Sequence, residues 1–340
     1  MQRLIFAAVA LLLVQLGLIV LVNSGKNGLE PAPANTSFLD LAGKKVDSME
    51  LIDGDGKKLL ITKKNDTWIL PGMENAAADK GQINSLLEKL QGLKQGFVVA
   101  TSAEAAKRFK VAKDSFERHV VLKAGENTAA SFYVGTSPGF RQVHCRREGT
   151  DNIVALALST YEFDVDGSKW LDKNVLHLDE KKISALHLPA VSLSLTDKKW
   201  RFDGGAGVSP DQEKVSDLLS RISGLAIEDL VDQAKGKALS AAGDAQSFSI
   251  VQDGKTLEYH FAKFDDNSYC LKRSGMELYY KVHKLVVDGI TGFDTGKLTP
   301  KSEAPKEAAP AKDAAAPVEK PAAEADPAAP APERPAPPAN

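Results

Sequence analysis

Sliding the chain along itself by 132 positions lays Trp68 on Trp200 and Asp79 on Asp211. It also lays Ile83, Leu86, Leu87 and Leu90 on Val215, Leu218, Leu219 and Ile222, and Gly92-Leu93 on Gly224-Leu225, with no gap. A shared period of this length constrains the fold more than any single motif, because both halves must then solve the same packing problem. The four apolar positions fall at i, i+3, i+4 and i+7, which is one face of an α-helix. Asp79 with Gln82 reads as a capping box at its start. Ser209, Pro210 and Gln212 give the same signal in the second half, with Pro at the first helical position. Gly92 and Gly224 read as terminating glycines.

Other segments match with small shifts. Val46, Met49 and Leu51 resemble Ile183, Leu186 and Leu188, each set opening a strand. The first turns back through Asp53-Gly54-Asp55-Gly56, the second at Pro189-Ala190. Residues 119–135 resemble 247–262, two β-rich runs joined by a Gly-containing turn, and 142–149 resemble 269–275. Each copy thus reads strand, strand, helix, short helix and about four strands. Strands group beside helices instead of alternating with them, so the expected class is α+β: a strand-rich repeat used twice, at 44–179 and 180–299.

The ends differ in composition. Residues 4–22 are apolar apart from Gln15, long enough to cross a bilayer as a helix, and lack a convincing cleavage site. They are read as an uncleaved transmembrane anchor, placing a single-pass protein in the bacterial inner membrane with its soluble part facing the periplasm or cell exterior. Residues 23–43 are read as a spacer rich in Gly, Pro, Asn and Ser. Residues 300–340 carry 11 of the 17 prolines and no aromatic, the composition of a disordered tail.

The pattern offers little chemistry. The formal net charge is −2, which with the compartment argues against a nucleic-acid partner. No phosphate-binding, zinc-protease or serine-hydrolase motif occurs, and the six histidines show no metal-ligand spacing. No catalytic, cofactor-binding or metal residue, and no cofactor, is assigned. His144 and Cys145 are neighbours on a strand, so their side chains face opposite ways. The Gly204-Gly205-Ala206-Gly207 run takes the loop position that Pro71-Gly72-Met73 takes in the first copy. Asp53 and Asp55 belong to a hairpin turn, and Arg141, Arg146 and Arg147 beside Phe140 read as a solvated face with the option of an anionic envelope ligand. Aligning Gly149 with Gly275 sets Cys145 against Leu271 and Cys270 against His144. The two thiols then lie one step out of register, on opposite faces, and stay unpaired.

With these residues in hand, the chain resembles the bacterial family called domain of unknown function 4340. The resemblance rests on the early apolar span, Trp68-Ile69-Leu70-Pro71, Ala78-Asp79 opening the helix, Phe132–Val134 with Gly135, the strand 141–147 and Trp170-Leu171-Asp172-Lys173, and covers about 44–297. It implies a membrane-anchored envelope protein with a non-enzymatic accessory or scaffold role, in some relatives linked to auxiliary components of ABC-type transport complexes. The family offers no catalytic residues to carry over, and the long Pro/Ala tail departs from its core. The rival reading is an envelope module that binds a glycan, peptide or lipid in a cleft between the copies.

Deleting residues 301–340 should leave the thermal midpoint of the remaining chain unchanged within about 4 °C, since a segment without aromatics has little to bury. Differential scanning calorimetry of the full and shortened chains checks this; a larger drop would show that the tail docks.

Overall fold

A computed structural model describes Val14 and Gln15 and residues 36–204, 207–242 and 246–300. Its first half runs β1 (Ser48–Asp53), β2 (Lys58–Lys64), β3 (Thr67–Leu70), β4 (Ala76–Ala77), helix α1 (Lys80–Gly92), β5 (Val98–Ala100), helix α2 (Ala103–Arg108), β6 (Val111–Ala112), β7 (Ser115–Phe116), β8 (Arg118–Ala124), β9 (Asn127–Val134), β10 (Val143–Arg147) and β11 (Ile153–Leu156). The second runs β12 (Ile183–Leu188), β13 (Val191–Thr196), β14 (Lys199–Phe202), α3 (Gln212–Ser223), β15 (Asp229–Val231), α4 (Gln233–Ala241), β16 (Gln246–Gln252), β17 (Lys255–Lys263), β18 (Ser268–Arg273), β19 (Tyr279–His283), α5 (Lys284–Thr291) and α6 (Thr295–Leu298).

These strands form a nine-stranded sheet in the order β4-β3-β2-β1-β8-β9-β10-β11-β5, an eight-stranded sheet in the order β14-β13-β12-β16-β17-β18-β19-β15, and the small β6-β7 pair. Setting β4 aside, the two large orders correspond strand for strand. Met49 pairs with Ile61 and Leu122 across the centre of the first sheet, as Leu186 pairs with Leu193 and Ile250 in the second. All six side chains are 0% exposed. Cross-strand apolar pairs on one face stabilise and fix a register, because a one-residue slip would turn them all to the other face.

Two expectations are corrected here. The class is not α+β: the described residues are mostly β, three antiparallel sheets with six helices, of which the longest has 13 residues. The sequence reading merged the third strand of each half (β3, β14) with its predecessor and passed over three-residue β5 and β15, too short to show a period. The transmembrane helix is also unsupported. No helix among the described residues is long and apolar enough to cross a membrane, which takes about 20 apolar residues. Apart from Val14 and Gln15, residues 4–22 lie outside the described residues, as does 301–340. Within the stretch read as a spacer, Phe38, Leu39 and Leu41 are buried in the first core.

Each large sheet has a front covered by its long helix and a back partly covered by its short one. Helix α1 starts at Asp79, whose carboxylate accepts from Gln82 N at 2.9 Å, and buries Ile83, Leu86 and Leu90. Helix α3 is capped by Asp211, so Pro210 sits one residue before the cap, not at the first helical position. Neither Gly92 nor Gly224 has positive φ, so these helices end without a left-handed glycine. Trp68 (2% exposed) and Trp200 (9%) are buried in the two front cores. On the back, α2 covers Ala105, Ala106, Val111, Tyr133 and Ile153, and α4 covers Val231, Cys270 and Tyr279. Gly236 permits that second contact, since a Cβ there would lie 2.3 Å from the Tyr279 ring.

The halves are joined by residues 170–173. Trp170 O accepts from Asp79 N at 2.8 Å, Asp172 N donates to Ala77 O at 2.9 Å, and Lys173 O accepts from Ile227 N at 3.0 Å. Leu230 and Leu278 pack against both front cores. Trp170 is 1% exposed, and its indole N–H donates to Asp164 O at 2.8 Å.

Trp170→Ala should therefore cost about 3–5 kcal/mol of unfolding free energy. Tyr161→Ala, at a side chain 84% exposed, should stay within about 0.5 kcal/mol of the parent. Urea titrations compare the two; equal effects would remove Trp170 from its structural place.

Candidate functional site

The residues singled out in the sequence do not meet in one site. Asp53 Oδ1 accepts from Asp55 N at 3.0 Å and Lys57 N at 2.9 Å, which makes the pair a closed turn between β1 and β2. His144 lies on the back face of the first sheet, stacked on Phe109 with ring centroids 4.0 Å apart, and its Nδ1 donates to Thr136 O at 2.9 Å. Cys145 faces the opposite way, into the front core. Cys270 is on the back of its own sheet, and both thiols are free and buried. Burial pushes the Cys145 thiol well above its usual range and the Cys270 thiol up to about 11, so neither is a ready nucleophile. The three arginines are dispersed. Arg146 donates to Val111 O at 2.7 Å and Thr150 O at 2.8 Å, Arg147 points to the other face, and Arg141 lies over the exposed Phe140 in a turn.

The most organised polar cluster was not singled out in the sequence. It sits on the back of the first sheet, where β8 and β9 set His119 opposite Tyr133 and Val121 opposite Ser131. His119 and Ser131 are therefore diagonal neighbours on one face. Ser131 Oγ donates to Glu148 Oε2 at 2.6 Å, Tyr133 OH donates to Glu148 Oε1 at 3.2 Å, and His119 Nε2 lies 2.9 Å from Ser131 Oγ. The imidazole stacks on Tyr133 at 4.4 Å, with the Arg146 guanidinium 4.9 Å from the Tyr133 ring centre.

Serine, histidine and glutamate within bonding reach suggest a hydrolase triad, but the proton inventory is wrong for one. Ser131 has a single hydroxyl proton and gives it to Glu148. His119 Nε2 must then donate to Ser131, whereas a general base must accept from it. Glu148 Oε2 also lies 3.7 Å from that same nitrogen, where it cannot orient the ring through Nδ1. Burial, opposed by Glu148 and Glu50, lowers the His119 pKa, and the Ser131 hydroxyl holds the Glu148 carboxyl below its usual range. What this arrangement does well is hold neighbouring strands together.

The second sheet repeats the patch in altered form. Ser247 faces His260 and Ser249 faces Glu258 across β16 and β17. His260 Nε2 lies 3.5 Å from Glu258 Oε2, and Glu258 N donates to Ser274 Oγ at 2.9 Å. By ladder position Glu258 replaces Ser131, His260 replaces Tyr133 and Ser247 replaces His119. Beside them His187 Nδ1 lies 3.9 Å from Asp203 Oδ2, and Ser194 Oγ donates to Asp203 Oδ1 at 2.7 Å. The patches differ most in cover. In the first, residues 109–117 form the β6-β7 hairpin and bring Phe116 to 5.8 Å from the His119 ring. In the second, only 242–245 separate α4 from β16. The His119 side chain is 15% exposed and that of His260 49%. Among the described residues no three His, Cys, Asp or Glu side chains gather to hold a metal ion.

The two groups of the first patch with lowered pKa values make stability fall with acid. His119 and Glu148 have folded-state pKa values below their unfolded ones, so each contributes stability above its unfolded pKa and loses it as pH falls through the folded value. The His119 part begins to go below about pH 6.5 and the Glu148 part below the carboxylate range. Urea midpoints measured from pH 7 to 5 should fall less steeply for His119→Gln than for the parent; parallel slopes would remove His119 from the pH response.

The family model described as Domain of unknown function (DUF4340) matches residues 68–243, just over half the chain. The match begins at Trp68, on β3, and runs past the 170–173 junction to the loop after α4, a narrower span than 44–297. No curated protein and no solved structure matches the chain. With its tryptophan-bearing strand, its capped helix and the joining segment all inside the match, the chain belongs to the family described as Domain of unknown function (DUF4340).

Proposed function

We propose that this protein is a non-enzymatic accessory or scaffold subunit of the bacterial cell envelope, serving an ABC-type membrane transport complex, and that a partner subunit engages it by adding an extended segment to strand β5. The observation that carries this reading is the contrast between two equivalent sheet edges. β5 and β15 end their sheets on the same side of the strand order. The β15 edge is guarded by Glu228, Asp229 and Asp232, as sheet edges commonly are. Around β5 the sequence is Gln95-Gly96-Phe97-Val98-Val99-Ala100-Thr101, without a charge. Phe97 is 81% exposed and Val99 42%. Residues 36–38 pair with 93–95.

An uncharged, β-branched edge with an exposed aromatic suits strand addition, in which backbone hydrogen bonds supply affinity and alternate side chains supply specificity. The non-enzymatic part is supported by the proton inventory at Ser131, which leaves no activated nucleophile in the best-organised polar cluster. The class of partner follows from the family resemblance alone.

Co-purification from native membranes in mild detergent tests the reading. The parent chain should recover subunits of a transport complex, and Val99→Lys should reduce that recovery about tenfold by placing an unpaired charge in the ladder. Tyr161→Asp, far from β5 in sequence and at a side chain more exposed than Val99, should leave recovery unchanged. A parent that recovers no transport subunits, or a Val99→Lys variant that recovers them as well as the parent, overturns it.

A further inference from the structure

We propose that the back of the second sheet is a binding site for a neutral oligosaccharide segment, laid across β13, β12, β16 and β17. Two adjoining cavities mark the place. One, of about 350 Å³, is lined by His187, Ser247, Ser249, Glu258 and His260. The other, of about 490 Å³, reaches this face at Ser192 and Asp203 and otherwise opens at the end of the sheet beside Phe202, Val208 and Thr295. They share Leu188 and Pro189 at the β12–β13 turn.

The duplication supplies an internal control. On the first sheet the back-face row across β2, β1 and β8 is Leu60-Glu50-Val121. On the second the row in the same ladder position is Ser192-His187-Ser249. Two apolar side chains have become hydroxyls, and an acid has become an imidazole. The hairpin that carries Phe116 over the first patch has no counterpart in the second. Three differences thus point the same way: the second face is more polar, richer in hydroxyls and uncovered. A purely solvated face accounts for polarity but not for the cavity lined by His187, Ser249 and Glu258.

The lining selects the ligand class. Asp203 and Glu258 accept two hydrogen bonds or more each, and the serines both donate and accept, which matches vicinal sugar hydroxyls acting in both directions. Neither Lys nor Arg lines either cavity, and two carboxylates do, so a phosphate or an anionic polymer is repelled. A lipid chain would leave the carboxylates and hydroxyls without partners, at the cost of desolvating them. The proposal does not rest on strand addition at β5, which lies on the other sheet.

Saturation-transfer NMR of the full chain against maltoheptaose, cellopentaose and chitopentaose, followed by an array of neutral oligosaccharides, tests it. At least one neutral oligosaccharide should bind. Glu258→Gln and Asp203→Asn should each weaken that binding about tenfold, the cost of losing a charged hydrogen-bond acceptor. Ser249→Trp, which fills the first cavity while keeping every carboxylate, should abolish it. Glu148→Gln on the first sheet should not change it. Circular dichroism confirms that each variant is folded; if Ser249→Trp unfolds the chain, the two carboxylate variants decide. Overturning results are an array with no neutral binder, binding indifferent to the carboxylate variants and to Ser249→Trp, or preferential binding of heparin or of phosphatidylglycerol vesicles at the same residues.

Discussion

Asp79 ties helix to sheet and first half to second. Its carboxylate caps α1 through Gln82 N, while its own backbone N–H donates to Trp170 O. The cap fixes where α1 begins and so which residues face the first sheet. The backbone bond, with Asp172 N to Ala77 O beside it, fixes the segment 170–173 against the same corner. Lys173 O then takes Ile227 N, just ahead of the β15 edge. The orientation of the second half therefore hangs on a short run of backbone hydrogen bonds anchored by one buried indole, where each lost bond would leave a polar group without a partner. Asp211, the counterpart of Asp79, caps α3 but passes its backbone N–H to Leu298 O. The same residue in the same register thus closes the first half onto the second and the second onto its own C-terminal helix.

With the fronts fixed by helix packing, the backs are where the two sheets differ. A residue on the front cannot change without repacking a core, because Met49, Ile61 and Leu122, like Leu186, Leu193 and Ile250, are fully enclosed. A residue on the back can change at low cost if it stays hydrogen-bonded or wet. The first back is roofed by α2 and the β6-β7 hairpin, and its polar groups satisfy one another in a chain from His119 through Ser131 to Glu148. The second is roofed only at one end, by α4, and its carboxylates face imidazoles at 3.5 and 3.9 Å, too far for tight pairing. Imidazoles held this loosely can give up a carboxylate to a ligand at little cost.

How much of this could be read from the sequence follows the same division. The helix faces were legible because Ile83, Leu86 and Leu90 recur at the helical period, and the first cap because Asp79 is followed by Gln82; the second was placed at Ser209, two residues before Asp211, which caps α3. The separation of the two thiols was legible from Gly149 and Gly275; the ladder confirms it, pairing Phe132 with Arg147 and Tyr259 with Arg273 and so placing Cys270 where the first sheet has His144. The fold class was misread because β3 and β14 follow their predecessors through two-residue turns, Asn65-Asp66 and Asp197-Lys198, all with positive φ. Neither turn contains glycine, so the punctuation that marks a hairpin was absent. Helix α5 went unseen for the opposite reason: it starts directly at the end of β19, capped by His283, and its apolar run reads as more strand.

The back-face patches were illegible for a deeper reason. Alternation of polar and apolar residues along a strand says that one face is wet; it does not say which polar residues on different strands meet. His119 and Ser131 meet only because the β8–β9 register is as it is, with an irregularity between Leu122 and Lys123, and Glu148 joins them from beyond a third strand. The substitution of Glu258 for Ser131, with Ser274 beyond it, keeps an acid and a hydroxyl at that corner while exchanging their strands. Sequence comparison scores two mismatches there, while an acid and a hydroxyl remain at the corner, joined in the second sheet through Glu258 N instead of its carboxylate. A duplicated sheet can therefore keep an acid and a hydroxyl at one corner and hide them from alignment, since what recurs is the pair across the ladder and not the residue along the chain.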